Sequence, residues 1–125
     1  HSFPTRRSSD LVDDMIASGA SIIEVGQKLR EKGAKKIFFI TTFSLFSEGI
    51  EKFEDAYKNK YFDKLYTTNL SYIPEEYNKY KWLYKVNCSK RIAQIIDHIH
   101  EGKSLKKIVH GNDKIIELLN KKGIN

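Results

Sequence analysis

Several features that would mark a particular compartment or architecture are scarce or absent in this chain of 125 residues. Its single cysteine, Cys88, cannot form a disulfide within the chain, which favours a reducing compartment such as the cytoplasm. No apolar run approaches the roughly 18 residues that a membrane span needs, and no leader segment precedes a cleavage site. Internal repeats and low-complexity segments are also absent. We therefore expect a cytoplasmic protein that does not associate with membranes.

The composition supports one modest core and a basic surface. Hydrophobic residues make up 40% of the chain, which favours one domain or part of one. The net charge is +6, and the basic residues are spread along the chain instead of forming one block. This distribution favours anionic partners in general, phosphates included, over any single class of partner.

The first residues read as text of non-protein origin. Residues 2–11, SFPTRRSSDL, back-translate as TCT TTC CCT ACA CGA CGC TCT TCC GAT CT, a common short-read sequencing adapter. We therefore interpret residues 1–11 as a translated adapter and residues 12–125 as the natural sequence.

Hydrophobic periodicity predicts strands that alternate with helices. Residues 36–42, KIFFITT, form an unbroken apolar run typical of a strand covered on both faces of a parallel sheet. Ser89 is the predicted N-cap of a helix that buries four isoleucines and ends at Gly102. Alternation at this spacing predicts an α/β fold, a mostly parallel sheet flanked by helices. The other predicted elements are helices at 21–32, 47–58, 104–109 and 113–122 and strands at 64–68 and 82–86.

The segment most relevant to chemistry is VDDMIASGAS, residues 12–21. Here a strand delivers two adjacent acids, and a turn of small residues then opens directly into a helix. Small side chains leave room for a phosphate, Gly19 can take a positive φ, and a helix start offers unpaired amides with a partial positive charge. Asp13 and Asp14 could accept hydrogen bonds from two ribose hydroxyls, directly or beside a divalent cation. The pattern predicts a phosphomonoester site.

A structural explanation of the same residues stays open. Ser21 and Glu24 match the S-x-x-E capping box, which alone explains a serine at a helix start. Paired acids near a helix N-terminus are also stabilising without any ligand.

The segment VDDMIASGAS resembles the phosphoribosyl pyrophosphate loop of the type I phosphoribosyltransferase fold, and VDDMI is typical of ribose-phosphate pyrophosphokinases. The resemblance continues through KGAKKIFFITTFSLFSEGIEKF and LYTTNL to IAQIIDHIHEGKSLKKI, and so covers roughly residues 12–109. It is similar to divergent clostridial-type members in TFSLF, EGIEKF and TTNLSY. The resemblance implies that residues 12–125 are the C-terminal, phosphoribosyltransferase-like part of such an enzyme.

By this resemblance, the reaction is transfer of the β,γ-diphosphoryl group of ATP to the 1-hydroxyl of ribose 5-phosphate, with Mg²⁺ bridging the phosphates. The family's ATP pocket and catalytic loop precede this segment, so the chain would carry only the acceptor half-site and no catalytic residue of its own. A homo-oligomer is implied as well. Asp13 and Asp14 would hold the ribose hydroxyls and, indirectly, the metal. The loop for the 5-phosphate would consist of Ala17, Ser18, Gly19, Ala20 and Ser21.

Departures from the family pattern keep two alternatives open. Ala17 stands where the family usually has an aspartate, and Phe43 and Ser44 replace a His-Gly pair. A phosphoribosyltransferase of nucleotide salvage would share the loop but use the finished pyrophosphate. A catalytically inactive, synthetase-associated regulatory protein is the other alternative.

Other conspicuous residues receive plainer interpretations. The stretch 77–85, YNKYKWLYK, interleaves aromatics and lysines as single-strand nucleic-acid platforms do, but we interpret it as an amphipathic edge or subunit contact and expect no nucleic-acid partner. His98 and His100 diverge on a helix and are not expected to bind a metal. Cys88 is interpreted as a packing residue.

Overall fold

Strands and helices alternate along residues 8–86, as the periodicity predicts. The computed structural model describes residues 8–109 and 111–123, the side chain of Lys107 excepted. The chain divides into two compact units, residues 1–87 and 88–125. The described part of the first unit holds a four-stranded parallel sheet in the order β1-β2-β3-β4. Its elements are β1 (Ser8–Ile16), α1 (Ala20–Glu31), β2 (Lys36–Ser44), α2 (Glu51–Lys58), β3 (Lys64–Thr68), a 3₁₀ helix (Glu75–Lys79) and β4 (Leu83–Val86). The α/β prediction is confirmed.

Strand β1 extends into the residues interpreted as adapter. Ser8 pairs with Lys36 and Leu11 with Phe39, so the first part of β1 is in register with β2 before the acidic pair is reached. Residues 1–7 lie outside the described residues. The adapter origin of residues 1–11 stays a hypothesis, because strand pairing does not report how a sequence arose.

The sheet has one buried and one open face in this unit. Phe39 and Leu65, paired across β2 and β3, are fully buried beneath the helices. On the opposite face, Val12 is 76% exposed, Ile40 37% and Tyr84 55%. The prediction that β2 is covered on both faces is therefore wrong. An unbroken apolar run indicates a buried strand but does not show what covers its second face.

The core lies between the buried face of the sheet and the helices, and aromatic rings dominate it. Trp82 stacks on Phe53 at 6.0 Å between ring centroids and meets Phe62 edge-on at 5.4 Å. Phe39 stacks on Phe62 at 4.7 Å. The buried apolar residues are Ile16, Ile22, Ile37, Phe39, Phe46, Ile50, Phe53, Ala56, Phe62, Leu65, Ile73 and Trp82.

The second helix begins later than predicted. The pattern predicts residues 47–58, whereas α2 begins at Glu51. Gly49, inside the predicted span, has a φ of 89°, which a right-handed helix cannot contain. Residues 47 and 48 form a turn, and Ile50 is the N-cap of α2.

The described part of the second unit is helical: α3 (Ser89–His100), α4 (Lys106–Val109) and α5 (Asn112–Lys121). Ser89 is the first residue of α3 and Cys88 its N-cap, one position from the prediction. The predicted burial of Ile92, Ile95, Ile96 and Ile99 is wrong, since no described residue of α3 is buried and Ile96 is 62% exposed. A few short helices supply too little surface to enclose an apolar stripe. None of the described helices could cross a membrane, because all are too short or too polar.

Candidate functional site

The predicted phosphate loop lies at the carboxyl end of β1. The strand ends at Ile16, three residues turn, and α1 begins at Ala20. Gly19 is the N-cap of α1 and has φ 87° and ψ −2°, a left-handed conformation that glycine adopts at little cost. The predicted positive φ of Gly19 is confirmed.

The start of α1 presents backbone amides that precede the hydrogen-bond ladder of the helix. Gly19 has no side chain to cap the helix, and the first turn contains no acidic residue. The first intrahelical bond runs from the Ile23 N–H to the Gly19 carbonyl at 3.1 Å, so the amides of Ala20, Ser21 and Ile22 precede the ladder. Among the residues that the structure describes, Ser18 alone offers a side-chain acceptor to these amides, its hydroxyl lying 3.4 Å from the Ala20 nitrogen. This helix end is suited to an anion.

The capping box suggested by Ser21 and Glu24 does not form. No side chain caps α1, and the Glu24 carboxylate instead accepts a hydrogen bond from Lys28 at 2.6 Å. That hydrogen bond and the charge of Lys28 lower the pKa of Glu24. The capping explanation for Ser21 therefore fails, because the helix begins two residues too early for Ser21 to be its N-cap.

Gly19 is also held by a steric constraint that the sequence does not show. A Cβ atom at this position would lie 2.1 Å from Cζ of Phe53 and 2.3 Å from its Cε2. Phe53 lies on α2 and is fully buried, with its ring against Phe46 and Trp82. The loop thus rests directly on the aromatic core, and only glycine allows that approach.

A cavity of about 210 Å³ opens at this loop. Its wall contains one of the two predicted carboxylate residues, Asp13, whereas Asp14 does not line it. Asp13 pairs with Thr41 of β2, and the next residue of a strand faces the other side of the sheet. The remaining lining consists of Met15, Ile16, Ala17, Ser18, Gly19, Ala20, Ser21 and Ile22. The structure thus brings Asp13 together with all five predicted loop residues and separates Asp14 from the cavity.

The segment after β2 holds the loop in place, which sequence reasoning missed. The Leu45 N–H donates to the Ile16 carbonyl at 2.8 Å, and the Ser47 N–H donates to the Ala17 carbonyl at 2.9 Å. The buried Thr41 hydroxyl lies 3.3 Å from the Asp14 carbonyl, which joins the two strand ends. Backbone amides leave no residue signature, so no sequence signal could have identified these bonds.

The acidic pair could contribute to a magnesium site but not complete one. Asp13 Oδ1 accepts the Asp14 N–H at 2.8 Å, and both side chains are exposed. Within the described ranges, no three His, Cys, Asp or Glu side chains converge as metal ligands. Magnesium commonly takes one or two carboxylates and completes its shell with water and substrate phosphates. Asp13 and Asp14 fit the role of one or two carboxylate ligands, with water and substrate phosphates supplying the others.

The aromatic and lysine-rich stretch contributes largely to packing. Trp82 is buried, and its ring packs on Tyr80 at 5.3 Å as well as on the core phenylalanines. Its indole N–H donates to the Glu54 carboxylate at 2.6 Å. A ring held this way is not available to stack on a nucleic-acid base.

Comparison with known proteins identifies the family. A family model described as phosphoribosyl synthetase-associated domain matches residues 5–110. A ribose-phosphate pyrophosphokinase of Mycoplasmopsis pulmonis is 34% identical over 98 residues, which are 78% of this chain and 30% of that protein. Another from Ureaplasma parvum is 31% identical over 112 residues, 88% of this chain and 33% of that protein. The chain thus spans about a third of the length of these relatives.

A solved structure shares the fold. The crystal structure of phosphoribosylpyrophosphate synthetase from Mycobacterium smegmatis matches with a TM-score of 0.66 at 24% identity, over 77% of this chain and 31% of that one. The family model and the curated relatives confirm the resemblance to ribose-phosphate pyrophosphokinases, and the solved structure confirms the fold. The chain belongs to the family of phosphoribosyl synthetase-associated domains.

Proposed function

We propose that this chain is the ribose 5-phosphate-binding part of a ribose-phosphate diphosphokinase. The observation that carries the proposal is the cavity in which Asp13 and the five residues of the loop meet at an uncapped helix start. The relatives are named ribose-phosphate pyrophosphokinases. From the family resemblance we propose the reaction as the transfer of diphosphate from ATP to ribose 5-phosphate with release of AMP. The rest of the enzyme would supply the ATP site.

The loop would bind the 5-phosphate through backbone amides. Ala20, Ser21 and Ile22 present N–H groups ahead of the hydrogen-bond ladder of α1, and the helix end adds partial positive charge. The hydroxyls of Ser18 and Ser21 are further donors at the cavity wall. Small side chains at Ala17 and Ala20 leave the phosphate room to approach.

Asp13 would hold the sugar. Asp13 lines the cavity and is exposed, so its carboxylate could accept a hydrogen bond from a ribose hydroxyl and orient the 1-hydroxyl toward the diphosphate donor. Asp14 is not among the residues that line the cavity, and we propose a weaker contribution from it. Mg²⁺, when bound beside the acids, would neutralise phosphate charge. Location in the cytoplasm and assembly as a homo-oligomer are proposed from the family resemblance.

Binding can be tested on this chain directly. In a calorimetric titration, the binding of ribose 5-phosphate is expected to saturate. Ribose without the phosphate is expected to show no saturation. An Asp13→Asn variant should bind about 10-fold or more weakly, because it loses a charge-assisted hydrogen bond. Asp14→Asn serves as the matched control and should have the smaller effect. An equal effect of the two variants would contradict the assignment of Asp13.

Catalysis needs the rest of the enzyme. Residues 12–109 can replace the matched segment of the Mycoplasmopsis pulmonis relative, and AMP release from ATP can be followed with ribose 5-phosphate and magnesium. AMP that forms only with ribose 5-phosphate and is lost in an Asp13→Ala, Asp14→Ala double variant would support the synthetase. A folded chimera that binds ribose 5-phosphate but releases no AMP would favour a transferase or a regulatory protein.

A further inference from the structure

A second cleft lies at the opposite, amino-terminal edge of the sheet. It has a volume of about 530 Å³ and is lined by Arg30, Lys35, Tyr57, Lys58, Lys60, Phe62 and Asp63. Asp63 immediately precedes β3 and receives the Ile37 N–H of β2 at 2.7 Å, which places the cleft at the starts of these strands. The phosphate loop lies at the carboxyl ends, so the two sites are at opposite edges.

The cleft is preorganised by Arg30. Its guanidinium donates to the carbonyls of Lys60 at 2.5 Å and Lys35 at 2.6 Å, and to the Asp63 carboxylate at 3.0 Å. These bonds fix the two loops from which the lysine side chains emerge. The charge of Arg30 is largely neutralised by Asp63. Arg30 therefore contributes to a site by fixing the backbone of the two loops more than by offering its own charge to a ligand.

A positive charge remains for a ligand. Lys58 pairs with Glu54 at 3.6 Å, whereas Lys35 and Lys60 take part in no ion pair among the residues that the structure describes. Two cations thus face an open cleft beside the Tyr57 ring, which is 38% exposed. The volume falls within the range of roughly 300–1,000 Å³ that small-molecule sites occupy.

The backbone of Lys60 is in a left-handed conformation, which costs free energy for any residue with a Cβ atom. Its φ is 61°, in the left-handed region that favours glycine. The Lys60 N–H donates to the Tyr57 carbonyl and the Tyr61 N–H to the Ala56 carbonyl, both at 2.9 Å. These are the two bonds of a Schellman motif, in which the left-handed position is usually glycine.

Helix α1 provides an internal comparison. It ends with the same pair of bonds, from the Gly33 N–H to the Arg30 carbonyl and from the Ala34 N–H to the Leu29 carbonyl, both at 3.0 Å. At the equivalent left-handed position, α1 has Gly33, with φ 90°. The fold therefore accommodates glycine here, and a lysine at α2 is not required by the motif.

Two simpler explanations, helix-end charge and core packing, do not account for the lysine at position 60. Basic residues can complement the negative end of a helix, but Lys28, Arg30 and Lys58 already lie in the last turns of α1 and α2. Phe46 also has a positive φ, yet its buried ring packs on Phe53, so core packing compensates the strain. Lys60 is exposed and has no such packing. Backbone hydrogen bonds hold the left-handed turn but would hold a glycine equally well, so they do not explain a lysine at this position. A strained side chain with no packing to compensate it points to a functional role.

We propose that this cleft binds a nucleoside phosphate, with Lys35 and Lys60 on the phosphates and the Tyr57 ring against the base. Lysine ammonium groups bind phosphate as compact point charges, and an exposed tyrosine ring offers a flat surface for stacking. The site is separate from the phosphate loop and does not depend on the function proposed for that loop.

The fluorescence of Trp82, the single tryptophan of the chain, provides a local reporter. Its ring lies 5.4 Å from that of Phe62 and 6.4 Å from that of Tyr57, both of which line the cleft. Titration with ADP should change this fluorescence and saturate. Adenosine carries the base without the phosphates, and pyrophosphate carries the phosphates without the base. Each should bind at least 10-fold more weakly than ADP. Excess ribose 5-phosphate should leave the ADP titration unchanged.

A Lys60→Gly variant separates binding from stability. It should weaken ADP binding at least 5-fold and raise the unfolding midpoint, because glycine relieves the left-handed strain. Lys64→Ala, which removes an exposed lysine of β3 that does not line the cleft, should leave ADP affinity unchanged. The proposal is overturned if ADP does not bind, if ribose 5-phosphate displaces it, if Lys60→Gly binds as the wild type does, or if that variant lowers the midpoint.

Discussion

Replacing Gly19 with alanine should destabilise the first unit more than an ordinary glycine substitution does. Two costs add at this position. A left-handed φ of 87° costs an alanine about 1–2 kcal/mol. The new methyl would lie 2.1 Å from Cζ of Phe53, and moving a fully buried ring that packs on Trp82 costs about 1–3 kcal/mol more. The expected loss is therefore about 2–5 kcal/mol in the free energy of unfolding.

Gly49→Ala is the matched control. Gly49 has nearly the same φ, 89°, but its Cβ would meet only the carboxylate end of the Glu51 side chain, which can move away. Gly49→Ala should therefore cost only the backbone part, about 1–2 kcal/mol. Urea unfolding followed by Trp82 fluorescence measures both variants.

A second variant isolates the steric part. In a Phe53→Leu background the ring is gone, so adding Gly19→Ala should cost no more than the Gly49 control does. The double-mutant cycle should then show a favourable coupling of about 1–3 kcal/mol. The reasoning is refuted if Gly19→Ala destabilises no more than Gly49→Ala, or if the two substitutions at 19 and 53 are additive.

Two further predictions concern the edge of the sheet and the aromatic core. Arg30→Met should lower the free energy of unfolding by about 2–4 kcal/mol, because three backbone carbonyls and the Asp63 carboxylate lose their hydrogen-bond donor. Urea unfolding measures this loss. A loss below about 1 kcal/mol would contradict the structural role of the guanidinium. Burial, together with the nearby charges of Glu51 and Glu76, raises the pKa of Tyr77 above its ordinary value near 10. The neutral phenol is thus favoured in the folded state, so its stabilisation is complete below pH 10 and is lost as the pH rises from that value toward the folded-state pKa. Thermal unfolding between pH 9 and about pH 11 should show a steeper loss for the wild type than for Tyr77→Phe, and parallel curves would refute the shift.

The sequence was sufficient for the fold class and for the location of the loop. The strand at residues 64–68 matches β3, and the helix predicted at 21–32 lies within one residue of α1 at either end. These elements are recognisable because their apolar periodicity is local and strong. The helix start at Glu51 was missed because Gly49, inside the predicted span, has a left-handed φ of 89°. A glycine in a sequence allows that conformation without requiring it.

The phosphate site at VDDMIASGAS was predicted from residue types alone, because small residues between a strand and a helix start are suited to an anion, and it stays a prediction. Only the structure shows that Asp13 lines the cavity and Asp14 does not, because the cavity forms where the end of β1 meets the start of α1. The contact of Gly19 with Phe53 and the cleft beside Lys60 likewise depend on how α2 packs on the sheet. Local propensity determines which segments form helices and strands. Tertiary packing sets which side of a sheet a side chain occupies and which residue contacts a glycine, and the sequence specifies that packing only through the whole fold.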